Sequence, residues 1–143
     1  MRASHPSASV VIPTHNRLGD LQRVVAGVEA QFAPGGRRPE LVVVDDGSTD
    51  GTADWLSRET AAGRLRGLSQ SNAGPAVARN RGASAASGEV LLFLGDDTVP
   101  EAGWLLAHLE AHRLHGGVGR PLAVVGYTGF PSAGDTPFLR FIN

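Results

Sequence analysis

Apolar residues along this chain alternate between two patterns. Short, largely apolar runs at 9–12, 41–44, 90–94 and 122–125 read as buried strands, and Leu65 to Ser69, interrupted by Arg66 and Gly67, reads as a weaker one. Between them, apolar positions recur at helical steps. Leu18, Leu21, Val24, Val25, Val28 and Phe32 mark one face of a helix that Pro34-Gly35-Gly36 would end, and Pro13 would stop the strand before it. Ser48-Thr49-Asp50 offers caps for a second helix through about residue 57. Gly74-Pro75 opens an alanine-rich third through about Ala86, and Pro100 precedes a fourth from Glu101 to about Leu114.

Strands that are apolar throughout, alternating with helices, predict an α/β domain: a mostly parallel central sheet covered on both faces, three layers in all. Ligands of such sheets bind beyond the carboxyl ends of the strands. The residues that should converge there are Pro13-Thr14-His15-Asn16-Arg17, Asp45-Asp46-Gly47-Ser48 and Gly95-Asp96-Asp97.

Composition narrows the chemistry. At 143 residues the chain suits one domain, and a net charge of -1 without a basic stripe argues against nucleic acid as the partner. All 13 basic residues are Arg, which excludes Schiff-base and P-loop lysines; the absence of Cys excludes thiolate metal sites and thiol nucleophiles. No apolar run is long enough to span a bilayer, and Met1 to Pro6 lack a signal-like apolar region, so the expectation is a cytoplasmic protein, with a peripheral place at the inner membrane face left open.

The acidic pairs carry the first candidate chemistry. Each follows an apolar run directly, where a carboxylate must be solvated, hydrogen-bonded or bound to a cation. Either pair alone could cap a turn; two pairs on two strand ends of one sheet point to a hard divalent ion, Mg²⁺ or Mn²⁺, held together with a phosphate. The segment from Asn72 to Gly82 places a glycine, Gly74, at a helix start with Arg79 and Arg81 following; this suits a diphosphate, but taken alone it reads first as a Pro-started, Ala-rich helix packed on the sheet. His15 reads either as a base-stacking or proton-transfer residue or as a turn filler. His108, His112 and His115 share a helical face, which reads as a solvated surface rather than a metal site; Trp104 reads as core.

Taken together, Val10 to Arg17, Val42 to Thr52, Gly74 to Gly82 and Gly88 to Pro100 resemble, in order and spacing over roughly residues 8–105, the motifs of the inverting family 2 glycosyltransferases. The resemblance implies a GT-A fold, a Rossmann-like nucleotide-diphospho-sugar transferase. It implies that Pro13, Thr14 and His15 line the base and ribose pocket, where the family commonly has an aromatic at the His15 position. Asp46 would read the base through its ring NH, with Asp45 supporting the turn. Asp96 would meet the ribose or the metal, and Asp97 would ligate the metal that bridges to the diphosphate. Arg17 and Arg79 would lie near the phosphates or support the residues that do, and Gly74 would belong to the nucleotide-sugar-binding set. Gly95 departs from the pattern, since many relatives have a first Asp of a full Asp-x-Asp there.

The activity so implied is transfer, with inversion, from a nucleotide-diphospho-sugar, UDP-sugar favoured, to an acceptor hydroxyl on a glycan, lipid carrier or protein. The family's base comes after the metal motif, and Asp135 does not suit the role, so the base is expected beyond Asn143 and residues 1–143 are expected to be the donor-binding part. Two other readings stay open: a non-catalytic donor-binding module or truncated paralogue acting through a partner, and a nucleotidyltransferase, which would carry a Gly-rich basic loop after the first strand. The apolar segment 137–143 is a candidate for docking or homo-oligomer contact.

Overall fold

In the computed structural model, residues 5–32, 38–116, 121–126 and 128 are described. Four strands, β1 (Ala8–Thr14), β2 (Glu40–Asp46), β3 (Arg66–Gln70) and β4 (Val90–Phe93), form a sheet of order β3-β2-β1-β4 in which every neighbouring pair is parallel. The helices are α1 (Leu18–Glu29), α2 (Thr52–Ala61), α3 (Pro75–Ala85) and α4 (Trp104–His115).

Alternation along the strands divides them between two layers. Val10, Ile12, Leu41, Val43 and Leu92 point to the side covered by α1, α2 and α4, where Leu21, Val24, Val28, Leu56 and Leu105 complete the larger core. Val11, Val42 and Val44 point the other way, onto Ala78 of α3. This is the three-layer α/β/α arrangement expected. Burying each of the aliphatic side chains contributes roughly 1.5–3 kcal/mol.

α3 approaches the sheet most closely at Gly82, where a Cβ would lie 2.4 Å from Val11 Cγ1 and 3.2 Å from Val44 Cγ2. Glycine there lets the helix rest on the strand backbone. At the amino ends of the strands, buried Ser9 donates to Glu40 Oε2 at 2.6 Å and accepts from the Gly88 N–H at 2.8 Å, which satisfies the one polar side chain in the middle of β1's inner stretch.

Several boundaries depart from the sequence pattern. β1 continues through Pro13 to Thr14, because the β1–β4 ladder closes at the Leu94 N–H to Val11 carbonyl bond (3.1 Å) and Pro13 lies past it, where no donor is required. α2 runs on to Ala61, ahead of Gly63 at φ +68°. α4 starts at Trp104 rather than Glu101, because Gly103 at φ +84° breaks the backbone between them. Residues 122–125 are not a strand: they pair with no strand among the described residues, and Val125 is exposed. α1 ends at Glu29, with Phe32 still packed on the core. The expected stop at Pro34-Gly35-Gly36, Asp135 and the 137–143 segment lie outside the described residues. Among the described residues no helix is long and apolar enough to cross a membrane.

Two glycine-to-alanine changes test the packing. A mid-helix alanine ordinarily gains up to about 1 kcal/mol over glycine. Gly82→Ala is expected to destabilise nonetheless, because overpacking costs about 1–3 kcal/mol. Gly19→Ala, in α1 with nothing within 4 Å of its Cβ position, should stabilise by roughly 0.5–1 kcal/mol. Urea unfolding of both variants checks this; a stabilised Gly82→Ala would contradict the close approach.

Candidate functional site

The carboxyl ends of β1, β2, β3 and β4 meet along one edge of the sheet, and the loops leaving them hold each other by side chain to backbone bonds. Asn16, directly after β1's turn begins, has φ +52°, a left-handed conformation that Asn tolerates better than most residues. Its N–H donates to Ser48 Oγ at 2.8 Å, and its Oδ1 accepts from the Thr49 N–H at 2.7 Å. Asp50 accepts from the Leu18 N–H (2.9 Å) and the Thr52 N–H (3.2 Å), the first N–H groups of α1 and α2, so one carboxylate anchors two positive helix ends.

The first acidic pair is buried and tied into the loops around it. Asp45 is buried and accepts from the Ser48 N–H at 3.0 Å, closing its own turn. Asp46, also buried, accepts from Gln70 Nε2 (2.8 Å), the Ala73 N–H (2.8 Å) and the Gly74 N–H (2.9 Å). The Gln70 hydrogen bond, with those of Ala73 and Gly74, holds its carboxyl below the ordinary value of 3.8 despite burial. The glycine-led start of α3 thus already meets an anion, the side chain of Asp46. A carboxylate offers about four acceptor positions, so one remains on Oδ2 for a further donor.

His15 reaches across to the same strand end. Its Nδ1–H donates to the Asp46 carbonyl at 2.8 Å, and its ring also meets the side-chain amides of Asn72 and Asn16. Gly47 (φ +76°) lets this loop press on Asn72, whose backbone nitrogen would lie 2.8 Å from a Cβ at residue 47. Pro13 is buried beneath, in register with Val44.

In the second acidic pair Asp97 faces solvent and Asp96 is partly buried. Thr14 Oγ1 donates to Asp96 Oδ2 at 2.9 Å, tying β1 to the loop after β4. Arg17 Nη1 lies 2.8 Å from Asp97 Oδ2 and 3.9 Å from Asp96 Oδ1, with the Asp97 side chain 57% exposed and that of Asp96 15%. Arg79 sits one turn into α3, exposed, with no hydrogen bond or ion pair among the described residues.

Among the described residues no three His, Asp or Glu side chains gather as a metal cluster. What fits a cation is the pair Asp96–Asp97, already facing one in the guanidinium of Arg17. Two carboxylates fill a minority of an octahedral shell, so the pair suits an ion that brings phosphate oxygens and water as its other ligands. Gly95 supplies no third carboxylate, and a Cβ there would stand 3.0 Å from Asp97 Oδ1.

Asn16 and Ser48 are at this edge and Asp50 caps α2, as the sequence pattern predicts; that Asn16, Ser48, Gln70 and Asn72 fasten the loops to one another is not predicted by it. Asn next to a strand end, with Ser and Asp in the facing loop, was the available signal. The sequence pattern also put His108 on a solvated face. His108 instead turns inward, edge-on to Trp104 at 5.3 Å between centroids, and burial with nearby His112 holds its pKa below the usual value. Trp104 packs against the larger core, as expected.

Residues 9–123 match the family described as glycosyl transferase family 2. The chain belongs to that family. It is 36% identical over 108 residues to Glycosyltransferase AglE of Haloferax volcanii, covering 73% of this chain and 35% of the relative. It is 38% identical over 109 residues to a Validoxylamine A glucosyltransferase of Streptomyces hygroscopicus subsp. jinggangensis, covering 75% and 26%. Among solved structures, S. aureus TarS 1–349 in complex with UDP-GlcNAc superposes with a TM-score of 0.67 at 25% identity, covering 82% of this chain and 37% of that one. The mannosyltransferase PcManGT of Pyrobaculum calidifontis, in complex with GDP-Man and Mn²⁺, gives 0.61 at 28%, covering 73% and 31%. The chain therefore spans about a third of the length of these relatives.

The loop edge should be acid-labile. Asp46, and Asp50 through its Thr52 hydrogen bonds, have folded-state pKa values lowered from 3.8. Their contribution is fully present above that value and lost as pH falls through the folded values. Urea midpoints should hold down to about pH 5 and drop below about pH 4, and Asp46→Ala, leaving three donors without their acceptor, should cost about 2–4 kcal/mol at neutral pH and flatten the acid limb. An acid limb identical in Asp46→Ala would contradict this assignment.

Proposed function

We propose that this chain binds a nucleotide-diphospho-sugar, with UDP favoured, at the edge formed by the four strand ends, and that the donor arrives with a Mg²⁺ or Mn²⁺ ion held by Asp97 and Asp96. The carrying observation is the pair of exposed Asp97 and partly buried Asp96, drawn against the loop of Thr14 to Arg17 by the Thr14 hydrogen bond and the Arg17 ion pair. The complexes of TarS with UDP-GlcNAc and of PcManGT with GDP-Man and Mn²⁺ support the reading, since those proteins share this fold and family.

In this reading Pro13, Thr14 and His15 form the wall for base and ribose. The remaining acceptor position on Asp46 Oδ2 takes a ring NH, and Gln70 with the Ala73 and Gly74 N–H groups keeps that carboxylate ionised and oriented. Asp45 holds the turn that carries Asp46. Arg17 and Arg79 supply positive charge for the diphosphate, for which guanidinium geometry suits phosphate oxygens. The ion, when bound, offsets the negative charge that grows on the departing nucleoside diphosphate. An acceptor hydroxyl attacks the sugar C1 from the opposite side, which inverts the configuration, and a carboxylate base takes its proton. We assign that base to none of the described residues: Glu110 is committed to Arg113 and His5.

Calorimetry tests the donor site. UDP binding is expected to require Mn²⁺ or Mg²⁺ and to weaken about tenfold or more in Asp97→Ala, a loss of at least about 1.4 kcal/mol. Binding indifferent to chelator and to Asp97→Ala would sink the metal role.

A further inference from the structure

The two carboxylates assigned to the ion are already engaged. Asp97 Oδ2 accepts from Arg17 at 2.8 Å, Asp97 Oδ1 accepts from Thr98 Oγ1 at 3.3 Å, and Arg17 is also 3.9 Å from Asp96. A guanidinium has donors only and keeps its charge at any working pH. It cannot share Asp97 Oδ2 with a divalent cation at contact distance without like charges meeting across a few ångströms.

We infer that Arg17 is a placeholder cation that makes metal binding depend on the nucleotide: it occupies Asp97 while the site is empty and exchanges to the diphosphate when donor and ion enter together. This rests on the donor-site reading and adds an order of binding to it.

Three features of the molecule carry the inference. The first is charge. Asp96 and Asp97 sum to -2 and Arg17 adds +1, leaving -1 for a free divalent ion to meet. Gly95 removes the further carboxylate that would raise it. The second is the weakness of the lock. Arg17 and Asp97 have side chains 50% and 57% exposed, and exposed pairs contribute only about 0–1 kcal/mol, so a ligand with its own charge to offer can open it. The third is the anchor. Arg17 is the residue that caps α1, and its carbonyl accepts from the Leu21 N–H at 2.9 Å, so its backbone is held while its side chain remains at the surface. Exchange then needs only rotation about side-chain bonds, from one oxygen anion to another beside it.

The inference predicts effects of opposite sign from one substitution. Free Mn²⁺ is titrated into the protein without nucleotide, read by electron paramagnetic resonance, and UDP is titrated at saturating Mn²⁺ by calorimetry. Removing one positive charge next to Asp97 in Arg17→Gln should tighten free Mn²⁺ about fivefold or more while weakening UDP binding. Arg17→Lys, which keeps the charge but not the planar fork, should leave free Mn²⁺ nearly as weak as in the wild type. Unchanged thermal unfolding of both variants checks that they fold. If Arg17→Gln leaves free Mn²⁺ affinity unchanged or lowers it, while UDP still needs Mn²⁺ in the wild type, the exchange is wrong and the donor site stands. If the wild type binds UDP without any response to Mn²⁺, the donor-site reading falls and the exchange with it.

Discussion

The parallel pairing of β1 with β2 on one side and β4 on the other is the constraint on which the rest of this structure depends. It sets Thr14 in register with Asp45 and brings Leu94 to the carbonyl of Val11. Each strand then releases its loop at the same edge. Thr14 therefore reaches Asp96 and His15 reaches the Asp46 carbonyl, across 82 and 31 residues of sequence. The two cores hold this register, because a one-residue slip would turn Val10, Ile12 and Val43 away from α1 and toward α3.

Acidic residues at that edge divide into two kinds by what surrounds them. Asp45, Asp46 and Asp50 take backbone N–H groups from neighbouring loops and helix starts, and are fixed in place. Asp97 lies outward, opposed by a side chain that can leave, and Asp96 beside it is partly buried and accepts from Thr14. A carboxylate that takes several donors, as Asp46 does, is held ionised and in place, with one acceptor position left. A carboxylate opposed by an exposed guanidinium can change partners at small cost. Donor binding and metal binding, in the reading proposed, fall on these two kinds respectively.

Much of this was legible in the sequence. Apolar runs followed by Asp-Asp, directly after Val44 and one glycine after Leu94, mark β2 and β4 together with their loops, and the rule for parallel sheets brings those loops to one edge. Family membership rested on the same residues. What escaped were facts that depend on distant partners. Nothing local says that the Asp46 carboxylate takes hydrogen bonds from Gln70, Ala73 and Gly74, or that Arg17 finds Asp97 80 residues on. Residues 122–125 had the composition of a strand, but a strand exists only with a partner to pair with. Asn16 was passed over because its value lies in a left-handed backbone, which a single letter suggests weakly.

Crystals grown with UDP and Mn²⁺, with data collected at the manganese edge, test the central claim most directly. The account predicts one anomalous peak against the Asp97 carboxylate, bridged to the diphosphate, with the Arg17 guanidinium turned from Asp97 to a phosphate oxygen. Manganese absent from Asp96 and Asp97, or UDP bound with Arg17 still paired to Asp97, would contradict it.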